Sequence, residues 1–368
     1  MSSSPRKGGV LVVAEQLRRA VPGGIGTYVE GLLTGLAGLA PTPIGPFAVL
    51  ASAAPSPDPL LAFGLPVETM PLPSRLLVKA WDLGFARVGR DDALVHTTSF
   101  AIPPSSAPIV ATVHDLAFRA LPNAYPGRGR RWHEAALGRA VRRAAHFVVP
   151  SQAVADDLRA EISPTARDRV TVIEEGADLL PPPDRDGAER LLAELGVHGP
   201  FLLTVGTLEP RKNLARLVEA YRLARPRLAE PWPLIVVGPS GWGDELDLAG
   251  TEGVILAGRV SPGVLAQLYR GCRCLAYVPL LEGFGLPVVE AMRFGAPVVA
   301  SAVPSSAGAA LEVDPTDPEA IGDALLIASG ETGRRAALIA AGAARAAPLT
   351  WAATAAAHVE VWHQVLER

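Results

Sequence analysis

The sequence predicts an α/β protein built on two parallel sheets, and three observations carry that prediction. The chain has 368 residues, more than one hydrophobic core usually covers, so two domains are expected. Short apolar runs alternate with longer helical patterns, the arrangement that buries parallel strands on both faces. The alternation stops at residues 174–186, which hold Glu174-Glu-Gly-Ala-Asp178 and Pro181-Pro-Pro183, and restarts after them. The expected domains are residues 1–178 and 179–349.

Hydrophobic residues make up 49% of the chain, ample for two buried sheets, and aromatics 5%. The abundance of Ala, Gly and Pro resembles a high-GC bacterial composition. A net charge of −3 gives no global pull toward nucleic acid or anionic lipid. The two cysteines, Cys272 and Cys274, start one strand with no further cysteine to complete a metal site, and read as small core residues in a reducing compartment. No window reaches the ~18–20 uncharged apolar residues of a membrane span. Two positive charges near the N-terminus precede no hydrophobic region, so a signal peptide is not expected and a cytoplasmic location is.

Residues 10–14 read as the first buried strand, and Pro22-Gly-Gly-Ile-Gly26 as a loop into a helix over about residues 27–39. Gly24 and Gly26 come about ten residues too late for the dinucleotide fingerprint, and Val29 stands in the third glycine's place, which disfavours a dehydrogenase. The helix N-terminus can still receive an anion or a hydroxylated substrate; the alternative is an ordinary surface turn. Residues 41–73 are rich in proline and small residues, with one strand expected near 46–51. Residues 93–97 and 108–113 read as strands. The second runs into His114-Asp115, two polar side chains at the carboxyl end of a parallel strand, where ligands of open α/β sheets collect; a capping Asp beside a satisfied His is the other reading.

Over residues 127–145 a helical period puts Arg128, Arg131, Arg139, Arg142 and Arg143 on one face. It reads as a solvated outer face, the alternative being peripheral contact with an acidic acceptor or an anionic bilayer. A strand over 147–150, a helix capped by Ser151 and a strand over 170–173 close this half. Asp184-Arg-Asp186 has the spacing of a metal-holding Asp-x-Asp, but its place just before a helix makes it a cap, and no metal is assigned.

The second half opens with a strand over 201–205, followed by Gly206-Thr-Leu-Glu-Pro-Arg-Lys-Asn213. Arg211 and Lys212 at a strand's carboxyl end suit a diphosphate, one by bidentate hydrogen bonds and the other as a point charge. Strands over 234–237 and 254–257 and a helix over 261–269 lead to a strand over 274–278. The stretch Glu282-Gly-Phe-Gly-Leu-Pro-Val-Val-Glu290 follows. Pro287 suits the first position of a helix that Gly295 ends, which puts the N–H groups of Gly283, Phe284, Gly285 and Leu286 at a phosphate-ready N-terminus. Glu282 and Glu290 would repel a bare phosphate, so a ligand carrying both phosphate and hydroxyls explains the pair: a sugar nucleotide. Residues 297–300 give the next strand. Helices are expected over 318–327 and 333–346, and from a Thr350 cap to residue 366.

Together, Thr112-Val-His-Asp115, residues 206–213 and the Glu282…Glu290 stretch resemble the retaining glycosyltransferases of family 4, GT-B enzymes whose two Rossmann-like domains face each other across a cleft. The resemblance implies that Glu290 binds the donor ribose, and that Glu282 with the N–H groups of residues 283–286 meets the donor sugar and phosphate. It implies that Arg211 and Lys212 neutralise the leaving diphosphate, that His114 reaches the transferred sugar, and that Gly24 and Gly26 let the backbone approach diphosphate or acceptor. It further implies metal-independent transfer of a hexose without a cofactor. The donor would be a nucleotide sugar such as GDP-mannose or UDP-glucose, the acceptor saccharide, lipid-linked or small, and the last helix (350–368) would pack back on the first domain. Two departures stand out: Thr207 where many relatives carry Arg, and residues 304–311, which are short and lack an acidic residue until Glu312. A sugar-nucleotide epimerase or hydrolase, and a catalytically silent binding subunit, are the alternatives; the intact charged set argues against the last.

Overall fold

The computed structural model describes residues 8–368 apart from 40, 41, 43, 55, 242–249, 331 and 332, so the leader expectation for residues 1–7 falls outside it. The chain divides into two compact units, Met1–Gly176 with Thr350–Arg368, and Ala177–Leu349.

Among the described residues the first unit holds a seven-stranded parallel sheet. Its strands are β1 (Val10–Val13), β2 (Phe47–Ser52), β3 (Val67–Met70), β4 (Leu94–Thr97), β5 (Ile109–Thr112), β6 (Ala144–Val149) and β7 (Val170–Val172). Their order is β3-β2-β1-β4-β5-β6-β7, so the winding reverses between β1 and β4. β1, β2, β4 and β5 are buried along their whole length, as apolar strands covered on both faces must be. β3 lies in the proline-rich region where sequence pattern indicated a single strand, and the helix Ser74–Asp82, whose Trp81 is fully buried, follows directly after it.

The helix Gly23–Ala37 begins four residues earlier than residue 27, so Gly24 and Gly26 sit in its first turn rather than in a preceding loop. Pro22 immediately before it, with φ −66°, is already in helical conformation and carries the chain in. The last helix, Trp351–Leu366, is capped by the Thr350 hydroxyl, which accepts from the Ala353 N–H at 3.1 Å. It packs on Gly23–Ala37, where Gly31 and Gly35 admit Trp351 and Ala355. By composition, residues 333–366 could pass for one membrane span. The chain instead breaks them into Gly333–Ala346 and Trp351–Leu366, which belong to different units.

A buried polar chain also ties the last helix down. Tyr28 Oη lies 2.8 Å from both Thr112 Oγ1 and His358 Nε2, and Thr112 Oγ1 lies 3.2 Å from His96 Nε2. The Trp362 indole donates to His96 Nδ1 at 3.3 Å, and His358 Nδ1 reaches the Thr354 carbonyl at 2.7 Å.

The arginine face on the helix Gly127–Arg143 is not the uniform solvated stripe that its period implies. Arg128, Arg131 and Arg142 are exposed, but Arg139 pairs with Asp82 and Arg143 reaches the Ile102 carbonyl. A period assigns residues to a face; it does not show what packs on part of that face.

The second unit holds a six-stranded parallel sheet among the described residues: β8 (Leu202–Val205), β9 (Leu234–Val237), β10 (Val254–Gly258), β11 (Leu275–Tyr277), β12 (Val298–Ala300) and β13 (Leu311–Glu312), ordered β10-β9-β8-β11-β12-β13. Its winding reverses between β8 and β11. Asp184 caps the helix Arg185–Glu194 by accepting from the Gly187 N–H at 2.9 Å. Both cysteines are free and buried.

Candidate functional site

Open parallel sheets bind ligands beyond the carboxyl ends of the strands where the winding reverses. In the second unit those strands are β8 and β11, and the two charged motifs leave the sheet there. β8 runs into residues 206–213, with Pro210–Lys212 forming a single tight turn. Asn213 follows in the left-handed region at φ 59°, which Asn tolerates better than most residues. Its amide donates to the Val278 carbonyl at 3.0 Å and the Pro315 carbonyl at 2.7 Å, pinning the loop to the end of β11.

This brings Arg211 and Lys212 onto Glu282. Lys212 Nζ lies 2.6 Å from Glu282 Oε1 and donates to Tyr277 Oη at 2.8 Å. Arg211 Nη1 lies 2.9 Å from the same Glu282 oxygen and donates to the Leu281 carbonyl at 3.0 Å, while Nη2 reaches Glu209 Oε1 at 2.9 Å. Two cations and two carboxylates, each side chain no more than 14% exposed, therefore form one compact cluster. Burial alone would push the Glu282 carboxyl up. Lys212 and Arg211, with hydrogen bonds from Lys212 and Tyr277, outweigh it and hold the group down at about 2. For Glu209 burial wins and the carboxyl is pushed up, against the pull of Arg211 and Lys212.

The sequence reading left Arg211 and Lys212 free for a diphosphate. In the structure both are engaged by carboxylates, Lys212 by Glu282 and Arg211 by Glu209 and Glu282 with the Leu281 carbonyl besides, because isolated charges at this depth would be costly. Glu209, Tyr277 and Asn213 were missed as members of the site. Glu209 and Asn213 stand inside the quoted motif, and the Glu-x-Arg spacing was the available signal; Tyr277 is an aromatic in a buried strand and gives none.

Gly283, Phe284, Gly285 and Leu286 are buried between Glu282 and the helix Leu286–Arg293. Gly285 precedes that helix at φ 101°, and a Cβ there would lie 2.9 Å from Ser305 Oγ, so both backbone and space demand glycine. The Ser305 hydroxyl donates to the Gly285 carbonyl at 2.8 Å. Ser305 belongs to the short 304–311 segment, which forms one turn before β13, where the Ser306 hydroxyl donates to Glu312 at 2.6 Å. Glu290, 8% exposed, accepts from the buried Tyr269 hydroxyl at 3.1 Å.

In the first unit, His114 lies beyond β5. Its Nε2 is 3.0 Å from the Thr98 carbonyl, its Nδ1 is 3.4 Å from Glu175 Oε1, and the Tyr28 ring meets it edge-on at 4.7 Å. Asp115 Oδ1 accepts from the Ala117 N–H at 3.0 Å, two residues on, where the helix Ala117–Ala120 begins. Gly24 is exposed with open space at its Cβ position. Gly26 is buried, and a Cβ there would strike Pro22 at 2.2 Å, so packing already requires its missing side chain. Among the described residues no group of three or more His, Cys, Asp and Glu side chains is placed to hold a metal ion.

Comparison with known proteins extends this geometry. The model described as glycosyl transferases group 1 matches residues 194–344, and that of glycosyltransferase family 4 matches residues 22–179. The O-antigen chain mannosyltransferase B of Escherichia coli is 32% identical over 279 residues, 71% of either chain. The D-inositol 3-phosphate glycosyltransferase of Salinispora arenicola is 32% identical over 291 residues, 70% of this chain and 64% of that relative's length. Among solved structures, Anabaena HepE in complex with UDP and glucose superposes with a TM-score of 0.72 at 18% identity, over 97% of this chain and 100% of that one. Two Rossmann-like units, both family models in chain order and a relative matched over more than two thirds of its length place the chain in glycosyltransferase family 4, with the GT-B fold.

Proposed function

We propose that this glycosyltransferase moves a hexose, mannose or glucose, from a nucleotide diphosphate sugar to an acceptor hydroxyl with retention at the anomeric carbon. The observation that carries the reading is the Lys212–Glu282–Arg211 cluster at the β8/β11 switch point, next to the buried turn 283–286 and Glu290. A departing diphosphate develops negative charge as its bond to the sugar breaks. Lys212 is placed to stabilise that charge by exchanging one carboxylate partner for the phosphate. Glu282 then keeps Arg211, so its charge stays balanced while Lys212 turns to the ligand. Glu290, steadied by Tyr269, is the acceptor for ribose hydroxyls. With a cation supplying the neutralisation, transfer needs neither metal nor cofactor on this reading, and a cytoplasmic location belongs to it. The mannosyltransferase relative and the UDP and glucose held by HepE support the donor class.

A donor panel tests it. The purified chain should bind at least one of GDP-mannose and UDP-glucose and release its nucleotide in the presence of EDTA, and the product's anomeric configuration by NMR should match the donor's. Folded protein that binds no sugar nucleotide refutes the reading; an inverted product refutes retention; activity lost to EDTA and restored by a divalent ion refutes metal independence.

A further inference from the structure

We propose that Glu175 is a positioning residue that, together with the Thr98 carbonyl, locks the His114 ring as a hydrogen donor at both nitrogens. The proposal deepens the transfer reading above and rests on it for its catalytic consequence.

The Thr98 carbonyl can only accept, so the Nε2 atom 3.0 Å away carries a hydrogen. That carbonyl is held in place, because the Thr98 hydroxyl donates to the Val13 carbonyl at 2.6 Å and ties the end of β4 to β1. On the other side of the ring, Glu175 Oε1 stands 3.4 Å from Nδ1, with the Glu175 side chain 5% exposed. A carboxylate this deep requires a donor, and a lone pair on Nδ1 would face it with like polarity. Both contacts are satisfied when each ring nitrogen bears a hydrogen. The Tyr28 ring closes a third side.

The last helix is what places Glu175. The Thr354 hydroxyl donates to the neighbouring Glu174 carbonyl at 2.9 Å, and Gly176 lies so close to Trp351 that a Cβ there would be 2.4 Å from its backbone nitrogen. A helix from the end of the chain thus sets a carboxylate, and the carboxylate sets the imidazole at the end of β5. So held, His114 cannot take a proton from an acceptor hydroxyl at either nitrogen without breaking one of these contacts. With both nitrogens engaged by the protein, the ring is held in one orientation and is not available as a general base.

The test uses the full chain labelled with 15N-histidine, with the His114 signals identified by their loss in His114→Gln. In the wild type, both His114 ring nitrogens should show the signature of N–H. In Glu175→Gln, Nδ1 should change to a bare ring nitrogen while Nε2 keeps its hydrogen. On whichever of UDP-glucose or GDP-mannose turns over, Glu175→Gln should lower kcat about 10- to 100-fold, the range seen when a residue orienting a functional imidazole is lost, with KM within about twofold. A bare Nδ1 in the wild type overturns the proposal and needs no variant. Ring signals unchanged in Glu175→Gln, or a loss confined to KM, also overturn it. The nitrogen spectra need no donor, so failure of every donor to turn over would sink the transfer reading and leave the His114–Glu175 lock to be judged on the spectra.

Discussion

The two sheets each end their switch point in buried polar side chains, and the two clusters follow opposite electrostatic plans. In the chain that links Tyr28, Thr112, His96, His358 and Trp362 in the first unit, every hydrogen can be assigned with no charge at all. The Trp362 indole only donates, so His96 Nδ1 accepts and its Nε2 carries the hydrogen, donated to Thr112 Oγ1. Thr112 then donates to Tyr28, and Tyr28 to His358 Nε2, whose Nδ1 hydrogen goes to the Thr354 carbonyl. In the second unit, Arg211, Lys212, Glu209 and Glu282 are all charge-bearing groups that balance one another. A neutral chain of matched donors and acceptors is satisfied within the protein and holds a helix in place. On the transfer reading, a cluster of charged groups at the strand ends is satisfied only until a ligand offers a better partner. The first plan suits structure, the second exchange with substrate.

The sharpest way to break this comparison is to remove Lys212, the cation proposed to exchange partners. Lys212→Ala leaves Glu282 paired with Arg211 and hydrogen-bonded to Tyr277, so folding should hardly change. Turnover should fall about 10²–10³-fold, the usual loss when one group that stabilises developing charge is deleted, with a smaller change in donor binding. Steady-state kinetics with a thermal melt as control checks this; equal losses in kcat and stability would mean the cluster is a structural staple like its counterpart. Glu290→Ala should act on the other quantity, weakening UDP or GDP binding about 10- to 100-fold, the worth of a charged hydrogen-bonding partner, as read by calorimetry.

Acid separates the two plans without a mutation. Burial, with a further contribution from His114, holds His358 down at about 4, and burial, His358 and His114 hold His96 well below its ordinary value. As pH falls below 6.5 the unfolded chain takes up protons that these folded imidazoles refuse, so stability in the first unit drops. His358 alone contributes about 1.4 kcal/mol per pH unit, and the loss is complete near pH 4. Glu282 is the reverse type of group. It is held at about 2 against an ordinary 4.5, and its contribution is intact above 4.5 and lost only as pH falls from there toward 2. Between pH 6.5 and 4.5 amide protection, measured against the intrinsic exchange rate at each pH, should therefore fall around β1, β4, β5 and the last helix, and not around β8 and β11. In His358→Gln the slope in this window should flatten; an unchanged slope would assign the acid sensitivity elsewhere.

How far the sequence was legible follows the same division. The apolar strands, Thr350 as a cap, and Pro287 and Gly295 around the helix Leu286–Arg293 were readable because each depends on local chemistry. β3 was not, since its residues alternate too weakly and sit at a sheet edge. Motif spacing led to Lys212, Glu282 and Glu290, because strand-end loops place such residues predictably. It could not show that Arg211 is held by Glu209, or that Glu175, read as part of a linker, faces His114. Those pairings join separate elements, and no local period or motif records them. The close approach of Pro22 to Gly26 was not readable for the related reason that it depends on how the chain turns into the helix.

The smallest expected effects test packing, again one in each unit. Gly31 and Gly342 both lie inside helices, Gly23–Ala37 and Gly333–Ala346, so alanine should gain about 1 kcal/mol of helix propensity at either. What the new methyl meets differs. At Gly31 it would lie 2.1 Å from two atoms of the Trp351 indole, a rigid ring 3% exposed and hemmed in by Tyr28 and Gly176. At Gly342 it would lie 2.8 Å from Met292 Cγ, a flexible side chain that can turn aside. Overpacking against the ring should cost about 1–3 kcal/mol and exceed the propensity gain. Gly31→Ala should thus lower the denaturation midpoint, and because Trp351 begins the helix that sets Glu175, it should also loosen the His114 ring. Gly342→Ala should leave the midpoint within about 0.5 kcal/mol of wild type, the span of an unremarkable substitution. A neutral Gly31→Ala would show that the last helix can shift on the first unit at little cost, and the His114–Glu175 contact would then be too loosely held to orient an imidazole.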